Sequence, residues 1–284
     1  GRLKIPWSKL PPGFAETIQV MPAEPVTPRQ AATVVLMRDG PAPADPPEIL
    51  LVRRVRSSGF VPGAWVFPGG RVDEADRDPS TLERWHPQTG PPSIAERLGV
   101  SIPDAAGFLN AALRECLEET GIGAGLFRPG RDGGARELPD SERSAVRGRL
   151  LADEIHWAGA LEALGAHIDV GRIAYLAHWV TPVQEPRRYD TRFFLASVSR
   201  DARLDLARDE MSAGTWLPAD EALRLHHRGE LPMIFPTIHT LESLVGLPAV
   251  APALSHFEQQ RVRRILPRLI AEDDGVRMAI DQEA

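Results

Sequence analysis

The chain has 284 residues, of which 43% are hydrophobic and 25% are charged, values typical of a globular protein with one large domain or two small ones. The net charge of -6 excludes a general attraction to nucleic acid, and the single cysteine excludes intramolecular disulfides and cysteine-based zinc clusters. The sequence has no apolar run of about 18 residues that would predict a membrane span, and residues 1–10 lack a signal-peptide pattern. We therefore expect a cytoplasmic protein without nucleic-acid or membrane partners.

The first predicted elements are an irregular arm and a pair of strands. Residues 1–28 are rich in proline, which predicts the arm. Residues 31–37 and 49–52 are apolar runs typical of strands, and the proline-rich stretch between them predicts a hairpin with a loop at its tip. A short strand is predicted at 64–67, where Pro68-Gly69-Gly70 ends it.

A polar, proline-rich stretch separates this strand from the clearest helix pattern. Within residues 77–110, short helices are predicted at 93–98 and 104–110. Residues 111–120 predict a further helix, which ends at Gly121 because glycine suits the left-handed position after a helix.

The second half of the chain alternates helices and strands. The predicted elements are one or two helices in 143–164, strands at 173–180 and 191–198, a loop at 209–214, a short strand at 216–217, and helices at 218–228 and 257–266. Strands on both sides of a central helix predict an α/β (α+β) fold with a mixed sheet layered with helices. The predicted organisation is an arm over 1–28, a catalytic domain over 29–250 with 77–110 as an insertion, and a helical extension over 251–284.

Three carboxylates share one face of the predicted central helix. Glu115, Glu118 and Glu119 stand at positions i, i+3 and i+4, so they project together and repel one another. A divalent cation relieves that repulsion, and carboxylate oxygens suit Mg²⁺ or Mn²⁺. Arg114 lies four residues before Glu118 and can hold a carboxylate by a charge-assisted hydrogen bond. A solvated charged face is the structural alternative for such a pattern.

Residues 114–122 resemble the second half of the Nudix box, which reads Gly, five residues, Glu, seven residues, then Arg-Glu-apolar-x-Glu-Glu-x-Gly-apolar. Cys116 takes the first apolar position. The first half departs from the family, because Asp76 follows Gly70 where the box has Glu, and 37 residues instead of seven separate Asp76 from Arg114. This long insertion, with the stretches 179–182, 187–194 and 210–218, resembles the coenzyme A diphosphatase-like branch of the Nudix hydrolases.

The resemblance implies a Nudix fold, a mixed sheet sandwiched between helices with a catalytic loop-helix-loop, and it implies roles for individual residues. The implied metal ligands for Mg²⁺ or Mn²⁺ are the Gly69 carbonyl, Glu115, Glu118 and Glu119. The implied catalytic residues are Arg114, Glu115, Glu118 and Glu210, with Asp209 as the rival of Glu210. The candidate phosphate contacts are Arg53, Arg54, Arg187, Arg188 and Arg192, because an arginine fork matches phosphate geometry.

The function that the resemblance implies is metal-dependent cleavage of a diphosphate in coenzyme A or acyl-CoA. The alternatives are ADP-ribose, NADH or another dinucleotide as substrate, or a non-catalytic module that senses a nucleotide. The intact acidic helix favours an enzyme over a sensor. A small-molecule nucleotide diphosphate is the expected partner, and a homodimer stays open.

Overall fold

The structure, a computed structural model, describes residues 3–6, 24–57, 61–85, 91–130 and 134–280. The strands in these residues are β1 (Leu3–Pro6), β2 (Arg29–Arg38), β3 (Glu48–Arg54), β4 (Trp65–Val66), β5 (Gly69–Arg71), β6 (Leu126–Pro129), β7 (Ala135–Arg136), β8 (His167–Ile168), β9 (Ile173–Val180), β10 (Tyr189–Ser197), β11 (Met211–Pro218), β12 (Arg264–Ile265), β13 (Arg268–Glu272) and β14 (Gly275–Ala279). The α-helices are α1 (Pro91–Leu98), α2 (Ile102–Thr120), α3 (Asp140–Leu151), α4 (Trp157–Leu164), α5 (Ala219–His227), α6 (Phe235–Leu244) and α7 (Val250–Gln259). Short 3₁₀ turns occupy Glu74–Arg77, Pro79–Arg84 and Val170–Arg172.

A mixed central sheet organises these elements. Its strand order is β11-β3-β2-β10-β9-β12, with β4 added to β3 and β5 added to β2. The long pair β10–β2 is parallel, with Tyr189 opposite Arg29 and Ser197 opposite Met37, whereas β9–β10 and β11–β3 are antiparallel. The predicted α/β class with a mixed sheet is therefore confirmed.

The sheet is covered on both faces, which explains why β2 is apolar along its whole length. Val34 and Leu36 belong to one buried core, which α1, α2 and α4 cover. Val35 and Met37 belong to a second core on the other face, which α5, α6 and α7 cover. All four side chains are 0% exposed, so this strand sits at the centre of the sandwich.

The central helix is longer than predicted. The sequence predicts separate helices over 104–110 and 111–120, but α2 runs unbroken through all 19 residues of Ile102–Thr120. Ser101 caps its start by accepting a hydrogen bond from the N–H of Asp104, and proline at the first turn is tolerated because no intrahelical bond is lost there. Gly121 ends it at φ +72°, as predicted.

Of two sequence-based predictions around β3, one needs correction. The predicted hairpin is confirmed, because β2 and β3 pair antiparallel beside the loop, with Met37 opposite Ile49, and the other edge of β3 pairs with β11. The predicted loop over 209–214 is wrong from Met211 onward, because β11 begins there and pairs along the full length of β3. Strand pairing with a distant partner overrides the weak local signal of Ser212, Ala213 and Gly214.

The C-terminal part is not a helical extension. Helix α7 begins at Val250 and ends at Gln259, so the helix predicted at 257–266 is wrong beyond that residue. The chain continues as β12, which pairs with β9, and as β13 and β14, which form a small sheet with β1. Pro267 cannot continue a helix, and Leu269 and Val276 are buried by the strand arrangement.

Of the predicted irregular arm, Leu3–Pro6 forms a strand that pairs with β14, and residues 24–28 have no regular structure. The rest of the arm lies outside the described residues. None of the helices in the described ranges combines the length and apolar character needed to span a lipid bilayer.

Candidate active site

The acidic face of α2 meets Gly69 and Gly70, the first two residues of β5, which follow a bend at Pro68. Gly69 and Gly70 pair with Thr33 and Ala32 of β2, which fixes the bend beside the helix. The N–H of Gly69 donates to Glu119 Oε2 at 3.0 Å. The Glu115 carboxylate occupies the space that a β-carbon on Gly70 would need, so only glycine allows this approach.

Arg114 binds the helix carboxylates from the other side. Its Nη1 donates to Glu115 Oε1 at 3.1 Å and to Glu118 Oε2 at 2.9 Å. Its Nε and Nη2 donate to the two carboxylate oxygens of Asp76 at 2.9 and 3.0 Å. One guanidinium therefore holds two acids of α2 and is itself held by a two-point fork.

Asp76 is the buried end of this network. Its side chain is 0% exposed, and its backbone carbonyl accepts from Asn110 Nδ2 at 2.8 Å. Asn110 also donates to Thr81 Oγ1 and accepts from Trp157 Nε1. The acid that replaces the Glu of the box thus contacts Arg114 through its side chain and Asn110 through its backbone carbonyl. The sequence did not predict the contacts of Asn110, Thr81 and Trp157. The one sign of them was Asn110, a lone polar residue in an apolar stretch of the helix.

The three acids of α2 share an unfavourable electrostatic environment. Burial raises the pKa of Glu115 to about 7, although the Arg114 charge opposes the shift. Burial also raises the pKa of Glu118, and it raises that of Glu119 well above the ordinary value, with the Glu115 charge adding to the effect. Burial alone would lower the pKa of Arg114, but its bond to Asp76 and the neighbouring carboxylates raise it above its ordinary value.

Glu210 joins the same cluster from another segment. Its backbone carbonyl accepts from the N–H of Val55 at 2.8 Å, just after β3 ends. Its negative charge adds to the raised pKa values of Glu115, Glu118 and Glu119. The next residue, Met211, pairs with Arg54, whose charge acts on Glu119.

The arginines predicted as phosphate contacts lie in different places. Leu50 and Val52 face α2, so strand alternation puts Arg54 on that face and Arg53 on the opposite one, where its Nε donates to the Gly63 carbonyl. The structure therefore brings Arg54, not Arg53, to the acidic cluster.

Two of the other predicted arginines, Arg188 and Arg192, contact other parts of the protein. Arg188 is buried and donates to the backbone carbonyls of Thr181 and Val26. Arg192 is buried beneath α2, where it donates to Tyr175 Oη at 3.1 Å and bonds His178. The protein itself engages both of these guanidinium groups. Arg187 is an exposed residue.

The carboxylate oxygens of the α2 acids are ligands of the type that suits a hard divalent cation. The acids supply carboxylate oxygens, and their raised pKa values reflect the repulsion and burial that a cation would offset. In the described part of the chain, no group of three or more His, Cys, Asp or Glu side chains has converged on metal-site geometry. Arg114 and the Gly69 N–H engage one oxygen of each acid, so the second oxygen of each can turn toward a cation.

This fold, with an Arg-Glu-x-x-Glu-Glu helix packed on a Gly-Gly bend, defines a class of diphosphate hydrolases. The family profile described as the NUDT19 Nudix domain matches residues 28–244, which is more than half of the chain, so the chain belongs to the Nudix hydrolases and is an enzyme that hydrolyses diphosphate bonds. This result confirms the family resemblance predicted from residues 114–122.

Individual relatives indicate which branch of the Nudix family this chain resembles. The chain is 29% identical to a Gallus gallus protein named acyl-coenzyme A diphosphatase NUDT19, over 87% of this chain and 76% of the relative. It is 27% identical to the Homo sapiens protein of the same name, over 83% of this chain and 71% of the relative. The crystal structure of a Nudix hydrolase from Alicyclobacillus acidocaldarius is similar at 30% identity and a TM-score of 0.59, covering 81% of this chain and 96% of that one.

Proposed function

We propose that the enzyme cleaves the diphosphate of coenzyme A or acyl-CoA, giving 3′,5′-ADP and a 4′-phosphopantetheine or its acyl derivative. Two relatives named acyl-coenzyme A diphosphatase support this substrate class. The observation that carries the chemistry is the meeting of Glu115 and Glu119 with the Gly69-Gly70 bend, which gathers buried oxygens at one point.

The proposed metal ligands are Glu115, Glu118, Glu119 and the Gly69 carbonyl, with Mg²⁺ or Mn²⁺ as the cation. When bound, the cation neutralises the diphosphate and acidifies a coordinated water. Arg114 contributes by holding Glu115 and Glu118 in fixed orientations, which limits the reorganisation needed when substrate binds.

Glu210 is the proposed general base. The action of its charge on the three acids and its backbone contact at the end of β3 support this assignment over Asp209. A carboxylate there can take the proton of the attacking water while one phosphate leaves, a reaction that needs little further covalent help. Arg54 is the proposed phosphate contact, because it is the predicted arginine whose charge reaches this cluster.

A panel of diphosphates tests the substrate class. Purified enzyme would be incubated with coenzyme A, an acyl-CoA, ADP-ribose and NADH, each with Mg²⁺ or Mn²⁺, and the products separated by chromatography. We expect 3′,5′-ADP from the two coenzyme A substrates and slower turnover of the others. If ADP-ribose or NADH is turned over faster than the coenzyme A substrates, the proposed substrate class is rejected. If no diphosphate is turned over, the result favours a non-catalytic module that senses a nucleotide.

The Glu119→Gln variant tests the acidic helix in the same assay. We expect kcat to fall by at least about a hundredfold, because one charge of the proposed cation site is lost, while the fold is kept. Glu162→Gln, which changes an exposed acid on α4, is the matched control. Wild-type turnover by Glu119→Gln would remove Glu119 from the site.

We also propose that the enzyme is cytoplasmic and forms a homodimer. The low cysteine content supports a reducing compartment. Light scattering on the purified chain measures the oligomeric state, and a mass of one chain at assay concentration would reject the dimer.

A further inference from the structure

The last backbone carbonyls of α2 accept hydrogen bonds from two other parts of the molecule. A helix leaves its last carbonyls without partners of its own. The Glu118 carbonyl accepts from Nε of Arg147 in α3 at 2.9 Å. The Glu119 and Thr120 carbonyls accept from the N–H groups of Ala207 and Asp205, each at 2.9 Å. The acidic end of α2 is therefore bonded both to α3 and to the segment 205–207.

That segment leads directly to Glu210. The Ala207 carbonyl accepts from the N–H groups of Glu210 at 2.9 Å and Met211 at 2.8 Å, which closes a tight turn. The Glu210 carbonyl then accepts from Val55 at 2.8 Å. Glu210 is thus held between the end of α2 and the end of β3, three residues beyond the last contact with the helix.

The Arg147 side chain connects the end of α2 to the segment 205–207. Besides its bond to the Glu118 carbonyl, its Nη1 donates to Asp205 Oδ2 at 2.8 Å. The Arg147 side chain is only 8% exposed, and its Nη2 is buried with no partner among the described residues. An apolar side chain would fill the same space at a lower desolvation cost, so packing alone does not explain an arginine here.

We propose that Arg147 is a positioning residue that fixes the separation between Glu210 and the acids of α2. This inference rests on the proposed role of Glu210. Arg147 acts by tying the backbone of Glu118 to the loop that carries the base. Displacements of about 1 Å at such a base are enough to slow a reaction strongly, so loss of this tie changes turnover more than substrate binding.

A double-mutant cycle between Arg147 and Glu210 tests this role. The variants are Arg147→Leu, Glu210→Gln and the double variant, assayed with coenzyme A and Mg²⁺. We expect Arg147→Leu to lower kcat about tenfold with KM changed less than about twofold, and to have no further effect in the Glu210→Gln background. A residue that only supports the fold would lower kcat by the same factor in both backgrounds, and that result would overturn the proposal.

Matched variants separate this effect from general damage. Arg149→Leu removes the same charge from the same helix, where the half-exposed side chain contacts Glu154, and should leave kcat unchanged. Arg147→Lys, which can reach one partner but not both, should fall between wild type and Arg147→Leu. If Arg147→Leu does not fold, Asp205→Asn takes its place in the cycle, with a smaller loss that also depends on Glu210. Wild-type kcat in Glu210→Gln would instead reject the proposed base, which is a different outcome from additive losses.

Discussion

At the scale of single residues, Arg114 holds together segments that are distant in the sequence. Its three guanidinium nitrogens donate to Asp76 on one side and to Glu115 and Glu118 on the other. A lysine at this position could not reproduce the planar fork, because its ammonium group is a compact point charge. The orientation of the acidic helix face therefore depends on the partner that holds Arg114.

Replacing Asp76 by asparagine tests that dependence. The change removes the charge of the 0% exposed acid that forks Arg114, which keeps Glu115 and Glu118 as charged partners, so we expect the free energy of unfolding to fall by about 3 kcal/mol and kcat to fall with it. Urea unfolding and the coenzyme A assay give the two measurements. Asp76→Glu keeps the charge and should lose less of both, whereas equal losses in the two variants would show that charge is not what matters.

The two arginines at the end of β3 give a second prediction at this scale. Arg54→Ala should lower kcat/KM for coenzyme A about tenfold, because a charged contact to phosphate is lost. Arg53→Ala is the control, since this neighbour lies on the opposite face of the sheet and contacts the Gly63 carbonyl. A larger loss in Arg53→Ala than in Arg54→Ala would contradict the assignment.

At the scale of elements, the site depends on how closely β5 approaches α2. Gly70→Ala places a methyl group where the Glu115 carboxylate lies, so the carboxylate must move. We expect a loss of kcat of at least about tenfold with little change in melting temperature, because the displaced group is the end of a side chain.

The control for Gly70→Ala is a glycine in open space. Gly148 lies within α3, and no atom outside its own helix turn lies within 4 Å of the position that a β-carbon would take there. Gly148→Ala should therefore leave kcat unchanged and raise stability by about 0.5–1 kcal/mol. Full activity in Gly70→Ala would show that the close approach is not required.

Local sequence patterns predicted the elements that carry strong local signals. The apolar run of β2 and the acidic face of α2 were visible because burial on both sheet faces and helical spacing leave direct traces in the sequence. The choice between Arg53 and Arg54 was also available, since alternation from Leu50 and Val52 assigns a face to each. The residues that anchor Asp76 were not, because Asn110 reaches Asp76, and Thr81 and Trp157 reach Asn110, only through tertiary packing.

At the scale of the whole molecule, the sandwich depends on contacts that no local pattern records. Strand β1 pairs with β14, more than 250 residues later in the chain, and β12 pairs with β9. These strands are short and their neighbours are supplied by distant segments, so propensity alone could not identify them. The predicted C-terminal helix failed for this reason.

Removal of divalent cations gives a prediction for the whole protein. A cation that binds only the folded chain adds stability by mass action, about 2.7 kcal/mol at a hundred times its Kd. We expect the melting temperature of the wild-type protein to rise when Mg²⁺ or Mn²⁺ replaces EDTA. Differential scanning calorimetry of Glu119→Gln provides the comparison, and an identical rise in that variant would place the bound cation elsewhere.

The insertion between Asp76 and Arg114 begins and ends at one place in the fold, because Asn110 contacts Asp76 directly. Its two ends are neighbours in space, so the acid reaches the guanidinium although the spacing between them differs from the seven residues of the family box. A search that demands a fixed number of residues between these two motif halves would overlook such enzymes. A search for an acid that forks the arginine in three dimensions would find them whatever the spacing.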